Sequence, residues 1–403
     1  MLPFTVLAKP TGAACNLDCD YCFFLSKELL YDSKRQQMSL DDLRTHLTRF
    51  FTAQPDGPVT VSWQGGEPTM RGFDFFARAM ELVAELRRPG QEVSHTIQTN
   101  GTLLDDKWCE FFAQHRFLVG LSMDGPAEIH DLYRTNRAGR GSHAQVLRAW
   151  RLLQKHGVET NVLCTVHHGN EQRGAEVYRY FRDELGARHI QFIPIVERAD
   201  EATMSAAERG WRTDEGARVL YTQSGDQVTS RSVTPAGWGS FLNEVFDEWV
   251  RADIGEVYVQ HFDVALGNWM GIYSLCVHAP TCGDALTVEF NGDVYACDHF
   301  VEPDYLRGNL DSVGYQEILA SPEQRAFGEA KLTELPSQCV RCPVRWACHG
   351  GCPKDRFATT ADGEPGLNYL CEGYRAFFGH IQPTIEQMAA LISRGSAPRA
   401  LSR

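Results

Sequence analysis

The chain has 403 residues, 43% of them hydrophobic, enough for a large core and too apolar for a disordered polypeptide; length allows two or three domains, or one barrel with an appendage. Its 39 Lys and Arg against 52 Asp and Glu give a net charge of −13, with no basic cluster or aromatic-interleaved basic stripe, which argues against nucleic acid as a partner. The start, MLPFTVLAKPTG, lacks the charged and apolar regions of a signal peptide, and no apolar run approaches the ~18 residues of a membrane span, so no membrane partner and a cytoplasmic location are expected.

From residue 4 to about 196, short apolar runs alternate with amphipathic stretches, which predicts repeated β-α units and a parallel sheet. Strands are predicted at 4–9, 59–64, 93–99, 117–123, 160–166 and 189–195. Between them, Leu40, Leu43, Leu47 and Phe50 recur at helical spacing after the N-cap candidate Ser39, and Val146, Leu147, Trp150 and Leu153 do so later. Six such units make a barrel or partial barrel. The unusual residues follow the strands: three cysteines after the first, Gln64-Gly65-Gly66-Glu67-Pro68 after the second, Gln98-Thr99-Asn100-Gly101 after the third, Ser122-Met123-Asp124-Gly125 after the fourth, and Pro194 and Ile195 at the sixth. Strand C-termini form the catalytic face of such a barrel.

Residues 197–235 are polar with little periodicity and read as a long connection covering the barrel mouth. A helix around 237–250 carries Phe241, Leu242, Val245, Phe246 and Trp249. Beyond about 270 the chain is cysteine-rich and loop-rich, which predicts a second domain organised by metal more than by a core. The stretch 376–393 reads as helix, and the closing RGSAPRALSR as a frayed tail.

Thirteen cysteines in a large chain without an export signal favour metal ligation over a disulfide framework. Cys109 and Cys164 stand apart in apolar-periodic stretches, as small buried hydrophobes. The others are grouped. Cys15-x3-Cys19-x2-Cys22 on a loop can wrap three corners of a cubane iron–sulfur cluster and leave the fourth iron open for a cofactor; the alternative is a zinc knuckle completed from afar.

These residues resemble the radical S-adenosylmethionine enzymes: the cysteine motif with Tyr21 inside it, and Gly65-Gly66-Glu67-Pro68 after the second strand, match that superfamily's cluster and cofactor signatures. The resemblance implies that S-adenosyl-L-methionine chelates the open iron and is cleaved to a 5′-deoxyadenosyl radical. It further implies cofactor contacts from Gly66, Tyr21, Ser122, Arg134 and Ile195. The plain readings are a strand end for Ser122, an ion pair with Asp131 or Glu128 for Arg134, and barrel core for Ile195.

Further on, TVEFNGDVYA (287–296) reads as a hairpin whose Asn291-Gly292 suits a type I′ turn, which would set Cys297 opposite Leu286 and near Cys282, with Cys276 six residues upstream. Those three thiols and the five of Cys339-x2-Cys342-x5-Cys348-x3-Cys352 and Cys371 make eight, enough for two fully ligated clusters suited to moving electrons; structural zinc is the alternative. Spacing alone groups Cys339, Cys342, Cys348 and Cys352.

This pattern resembles the SPASM extension of peptide- and protein-modifying radical enzymes, and is most similar to that of the anaerobic sulfatase-maturating enzymes, with VSWQGGEPTM, IQTNGTLL, LSMDGP, QFIP, SVTP and CDHF extending the likeness over nearly the whole chain. The resemblance implies a partial (β/α)6 TIM-type barrel followed by a cysteine-rich SPASM domain holding two auxiliary clusters, three [4Fe–4S] clusters in all. The expected divisions are 1–235 for barrel and connection, 236–270 for a linker helix, 271–375 for the auxiliary domain and 376–403 for a C-terminal helix and tail. One auxiliary cluster would take Cys276, Cys282, Cys297 and Cys352, the other Cys339, Cys342, Cys348 and Cys371, and Asp298 would be the general base. The plain reading of Asp298 is an Asx turn.

The implied reaction converts a Cys or Ser of a sulfatase polypeptide to Cα-formylglycine, with flavodoxin or ferredoxin as electron donor. The family's substrate motif carries an arginine, which an acidic protein suits. A peptide maturase forming thioether or carbon–carbon crosslinks is the alternative, though the first strand, starting at residue 4, leaves no room for a leader-binding module; a non-catalytic zinc protein is a third. Family members commonly carry Phe-Tyr after the third cysteine, whereas this chain has Phe23-Phe24.

Overall fold

The computed structural model describes residues 3–32 and 36–401. Six parallel strands form within two residues of the predicted limits: β1 (Thr5–Ala8), β2 (Gly57–Trp63), β3 (Gln91–Thr99), β4 (Phe117–Ser122), β5 (Glu159–Val166) and β6 (His189–Pro194). Each pairs in parallel with the next in sequence. The helix Leu40–Ala53 opens on a capping box, in which Ser39 Oγ accepts from the Asp42 N–H and Asp42 Oδ2 from the Ser39 N–H, both at 3.1 Å. Its Leu43, Leu47 and Phe50 are buried, each contributing roughly 1.5–3 kcal/mol by leaving water.

The sheet does not stop at the six-strand unit. β7 (Tyr258–Val259) adds to β6, and at the opposite edge β8 (Ala285–Val288) lies parallel to β1, followed by antiparallel β9 (Asp293–Tyr295) and β10 (Leu306–Asn309). The order is β10-β9-β8-β1-β2-β3-β4-β5-β6-β7, a partial barrel whose β1 edge is carried on by the cysteine-rich region. That region is therefore organised by a core as much as by its thiols: Leu286, Val288, Val294, Tyr315 and Phe377 belong to the same apolar cluster as Val6, Val61 and Ile97.

The hairpin between β8 and β9 departs from the predicted turn. Thr287 pairs with Tyr295 and Val288 with Val294, and Glu289 and Asp293 bracket a three-residue loop, Phe290-Asn291-Gly292, in which Gly292 takes φ +85°. A third loop residue in the left-handed region suits glycine and shifts the register by one, so Cys297 does not stand opposite Leu286.

The connection after β6 is not featureless. Arg198–Ala199 and Gln227–Val228 form a ribbon, Met204–Glu208 a short helix, and Ala199, Ala207, Trp211 and Tyr221 a small core. It is bound to the loop after β1 through Arg212 and Arg218 on Asp18, and through Lys27 Nζ donating to the Tyr221 carbonyl at 2.7 Å. Helix Pro235–Ala252 packs along Cys371–Ser393, which starts five residues before the predicted 376 and spans the expected division at 375. At that crossing a Cβ on Gly239 would lie 2.9 Å from Gly373 Cα. The tail is partly ordered: Pro398–Leu401 makes a short 3-10 turn with Leu401 against the main core, while 402–403 lie outside the described residues.

Candidate active site

The loop after β1 is held by backbone before any side chain. The Gly66 N–H donates to the Gly12 carbonyl and the Glu67 N–H to the Ala14 carbonyl, both at 2.9 Å. A Cβ on Gly66 would lie 2.1 Å from the Ala14 oxygen, so only glycine admits this approach. Glu67 turns inward, accepting from Thr99 Oγ1 at 2.7 Å and the Asn100 N–H at 2.7 Å. Asn100 Nδ2 stands 3.7 Å from Cys15 Sγ.

Tyr21 and Arg134 converge beneath this loop on one carboxylate. Tyr21 Oη donates to Asp124 Oδ2 at 2.5 Å, while Arg134 Nε and Nη2 donate to Oδ2 and Oδ1 at 2.7 and 3.1 Å. The Thr165 N–H adds a fourth bond at 2.9 Å. Burial opposes the charge on Asp124, but the guanidinium outweighs it and holds the carboxyl below its ordinary range. Arg134 thus pairs with Asp124, and with neither Asp131 nor Glu128; its side chain and that of Tyr21 brace the cysteine loop from below.

Burial pushes the Cys15 thiol up to about 12, with Glu67 and Cys22 adding to it, and raises Cys19 and Cys22 as well. Such thiols are poor nucleophiles when free and become thiolates on a metal. Ser122 Oγ accepts from Gln98 Nε2 at 2.9 Å, and Gln64, Gln98 and Thr96 line a lumen cavity of about 280 Å³. Ile195 follows β6, its N–H on the Val166 carbonyl at 2.8 Å and its carbonyl on the Val233 N–H at 2.9 Å. A larger groove of about 780 Å³ lies elsewhere, on the outer side of Cys282, lined by Phe4, Asp284 and Glu329 among others.

Asp298 reaches the end of β1. Its Oδ1 lies 3.0 Å from Lys9 Nζ, which is also 3.3 Å from Glu289 Oε1, and Thr287 Oγ1 donates to it at 3.4 Å. Both ammonium contacts lie at ion-pair distance but off the hydrogen-bond direction. Burial pulls Lys9 down, yet the two carboxylates outweigh it and raise it above its ordinary value. The Phe24 ring covers the ammonium, 4.3 Å from its centroid, so the residue that departs from the family's tyrosine seals this pair with an aromatic face.

The remaining thiols fall into two sets. Burial pushes Cys297 well up, with Cys352 and then Cys276 as the neighbouring thiols; Cys276 likewise adds to Cys282, which reaches about 11. In the second set burial lifts Cys348 to about 12 and Cys371 to about 11, with Cys339 and Cys342 beside both. Cys352 thus has Cys276 and Cys297 as its thiol neighbours, and Cys371 has Cys339 and Cys342, whereas spacing alone would put Cys352 in the latter group. Among the described residues no three His, Cys, Asp or Glu side chains close on a single ion. Gln324 braces the first set by donating to the Gly283 carbonyl at 2.7 Å and the Ala296 carbonyl at 3.1 Å.

Lys9, Asp124, Glu289 and Gln324 touch the candidate site residues or their loops without being singled out as site residues in the sequence. Asp124 lay within a motif already marked at Ser122. Helix Pro322–Thr333, which carries Gln324, announces itself by the N-cap Ser321 and a proline at its first position.

A partial barrel with a three-thiol loop after β1, a glycine-only seam behind it, and eight thiols in two sets beyond is the arrangement of a radical S-adenosylmethionine enzyme with an iron–sulfur extension. Residues 10–181 match the model of the Radical SAM superfamily, and 276–343 that of the SPASM iron-sulfur cluster-binding domain. The chain is 43% identical over 402 residues to the serine-type anaerobic sulfatase-maturating enzyme of Bacteroides thetaiotaomicron, covering 98% of this chain and 94% of the relative. It is 31% identical over 392 residues to the cysteine-type enzyme of Clostridium perfringens, covering 96% and 99%. It superposes on the structure of native anSMEcpe with bound AdoMet and the Cp18Cys peptide with a TM-score of 0.82 at 30% identity, covering 97% of this chain and all of that one. The chain belongs to the anaerobic sulfatase-maturating enzymes, radical S-adenosylmethionine oxidoreductases whose cofactors are S-adenosyl-L-methionine and [4Fe–4S] clusters.

Proposed function

We propose that this chain oxidises a Cys or Ser side chain of a sulfatase polypeptide to Cα-formylglycine, in the cytoplasm, with a flavodoxin or ferredoxin as electron donor. The observation that carries the reading is the meeting of Asp298 and Lys9 at the end of β1, the strand that leads into the three-thiol loop.

Cys15, Cys19 and Cys22 would hold one cluster, Cys276, Cys282, Cys297 and Cys352 a second, and Cys339, Cys342, Cys348 and Cys371 a third. When bound, the cofactors supply hydrogen-atom abstraction at the substrate Cβ and, at the fully ligated sites, a place for the remaining electron. The protein's own groups do the rest. Gly66 lets the backbone close on the loop's own carbonyls and, with Ser122 and Ile195, would help hold S-adenosyl-L-methionine, while Tyr21 and Arg134 act through Asp124 to hold the loop in place. Asp298 takes the proton from the substrate thiol or hydroxyl, and Lys9 and Thr287 fix the carboxylate at Oδ1 for that task.

The test is anaerobic incubation of reconstituted enzyme with S-adenosyl-L-methionine and peptides bearing Cys-x-Pro-x-Arg or its Ser counterpart, read by mass spectrometry. Aldehyde formation on either peptide is expected. Cleavage of the cofactor with no aldehyde on either peptide would point to the crosslinking chemistry instead, and zinc in place of roughly twelve irons would sink both.

A further inference from the structure

Between Cys348 and Cys352 the chain crosses from one thiol set to the other in three residues, His349, Gly350 and Gly351, with φ +46°, +77° and +66°. A left-handed run of three is uncommon, and one of its members is not glycine. The Arg356 guanidinium gathers its carbonyls: Nε donates to Gly350 at 3.0 Å, and Nη2 to His349 at 2.9 Å and Gly351 at 3.4 Å. Nη1 donates to the Lys331 carbonyl at 2.8 Å, tying the crossing to helix Pro322–Thr333 that braces the first set. A Cβ on Gly350 would lie 2.6 Å from Nη2, so the turn and the guanidinium are fitted to each other.

All four acceptors are neutral, and among the described residues no carboxylate forms an ion pair with Arg356. Its charge is left for other neighbours. Burial pulls Arg356 below its ordinary value, while thiols of both sets, Cys339 and Cys348 on one side and Cys352 and Cys282 on the other, act in the opposite sense.

We propose that Arg356 is a positioning residue shared by the two auxiliary clusters: it fixes the crossing between their ligands and lends both one positive charge that raises their reduction potentials together. The proposal rests on the reading that each thiol set holds an iron–sulfur cluster. A cation near a cluster favours its more negative, reduced state, and a rigid fork of five N–H groups suits converging carbonyls. A charge placed between two clusters moves both potentials in the same direction, leaving the difference between them little changed.

The test is an EPR-monitored redox titration of the anaerobically reconstituted full chain, with iron and sulfide counted first, for wild type, Arg356→Gln and Arg356→Lys. Arg356→Gln is expected to shift both auxiliary clusters to lower potential, by on the order of tenfold in reduced fraction at fixed poise, ~59 mV for a one-electron couple. The cluster at Cys15, Cys19 and Cys22 should not move, and Arg356→Lys, which keeps the charge but not the fork, should keep wild-type potentials in the auxiliary iron it retains. Full auxiliary iron with unmoved potentials in Arg356→Gln overturns the proposal and leaves the cluster reading intact. Zinc or no metal in both sets of the wild type overturns the two together. If Arg356→Gln assembles with less auxiliary iron, the potentials of the clusters that remain decide: lowered in Arg356→Gln and wild-type in Arg356→Lys supports the shared charge, and unmoved in Arg356→Gln overturns it.

Discussion

Lys9 Nζ stands 3.0 Å from Asp298 Oδ1, with the lysine side chain 1% exposed and the aspartate 11%. The two lie 289 residues apart in the chain, and a substrate proton would reach the carboxylate through the small opening on the aspartate side. Asp298→Asn keeps the shape and removes the basicity. Product formation should fall by ~10²–10⁴-fold while cofactor cleavage continues, so the ratio of 5′-deoxyadenosine to aldehyde is the measurement. An unchanged ratio would refute the role of base.

Lys9→Met removes the cation that pairs with both Asp298 and Glu289. Two buried carboxylates would then face each other without a cation between them, and a loss of about 3–5 kcal/mol is expected. Urea unfolding of wild type and variant would show it. A shift under ~1 kcal/mol would mean that Lys9 acts as little more than a surface ion pair.

Gly66→Ala forces a methyl group against the Ala14 carbonyl, which must move. The cysteine loop hangs from that contact, so the variant should lose about four irons per chain and all cofactor cleavage while keeping its auxiliary clusters. Iron counting together with EPR of the reduced protein decides between this and an unaltered site.

Cys352→Ala and Cys371→Ala separate structure from spacing. The structure predicts that Cys352→Ala damages the cluster shared with Cys276, Cys282 and Cys297, and Cys371→Ala the other. Loss of one and the same EPR signal in Cys352→Ala and Cys339→Ala would contradict the assignment and favour the grouping by spacing.

Burial holds His46 to about 3, its Nδ1 2.7 Å from Tyr315 Oη. The unfolded chain takes up this proton near pH 6.5, before the folded chain does. The contribution is therefore complete above pH 6.5 and is lost as the pH falls toward 3, on the order of 1 kcal/mol per unit. The urea midpoint should drop from pH 7 to 5.5, and drop less in His46→Gln; equal drops would exclude His46 as a source.

The strands were legible because each leaves a period of two, and the cysteine groups because their spacings are short and fixed; the division of the eight later thiols came from the family pattern and not from spacing. Asp298 was singled out only through its neighbour Cys297 and the family pattern. What the sequence hides are partners brought together by topology. Lys9 reads as the end of an apolar strand, and nothing nearby announces two carboxylates some 280 and 289 residues away. The hairpin turn failed for a smaller reason: Asn-Gly fits both a two-residue and a three-residue loop, and the ladder to β10 selects the longer. Trp211 and Tyr221 were missed because a core of four residues has no period to read.

Ala8 pairs with Val288 across the seam between β1 and β8, which puts Lys9 beside Glu289 and carries Asp298 in behind them. Strand side chains alternate, so a slip of one residue here would turn Thr287 and Glu289 to the opposite face while every cysteine spacing stayed the same. Such a chain would still load its metal and still spend its cofactor, yet release a half-finished substrate. The auxiliary region is thus no interchangeable cartridge: a graft onto another barrel would have to bring the stitching of this one edge along with the ligands.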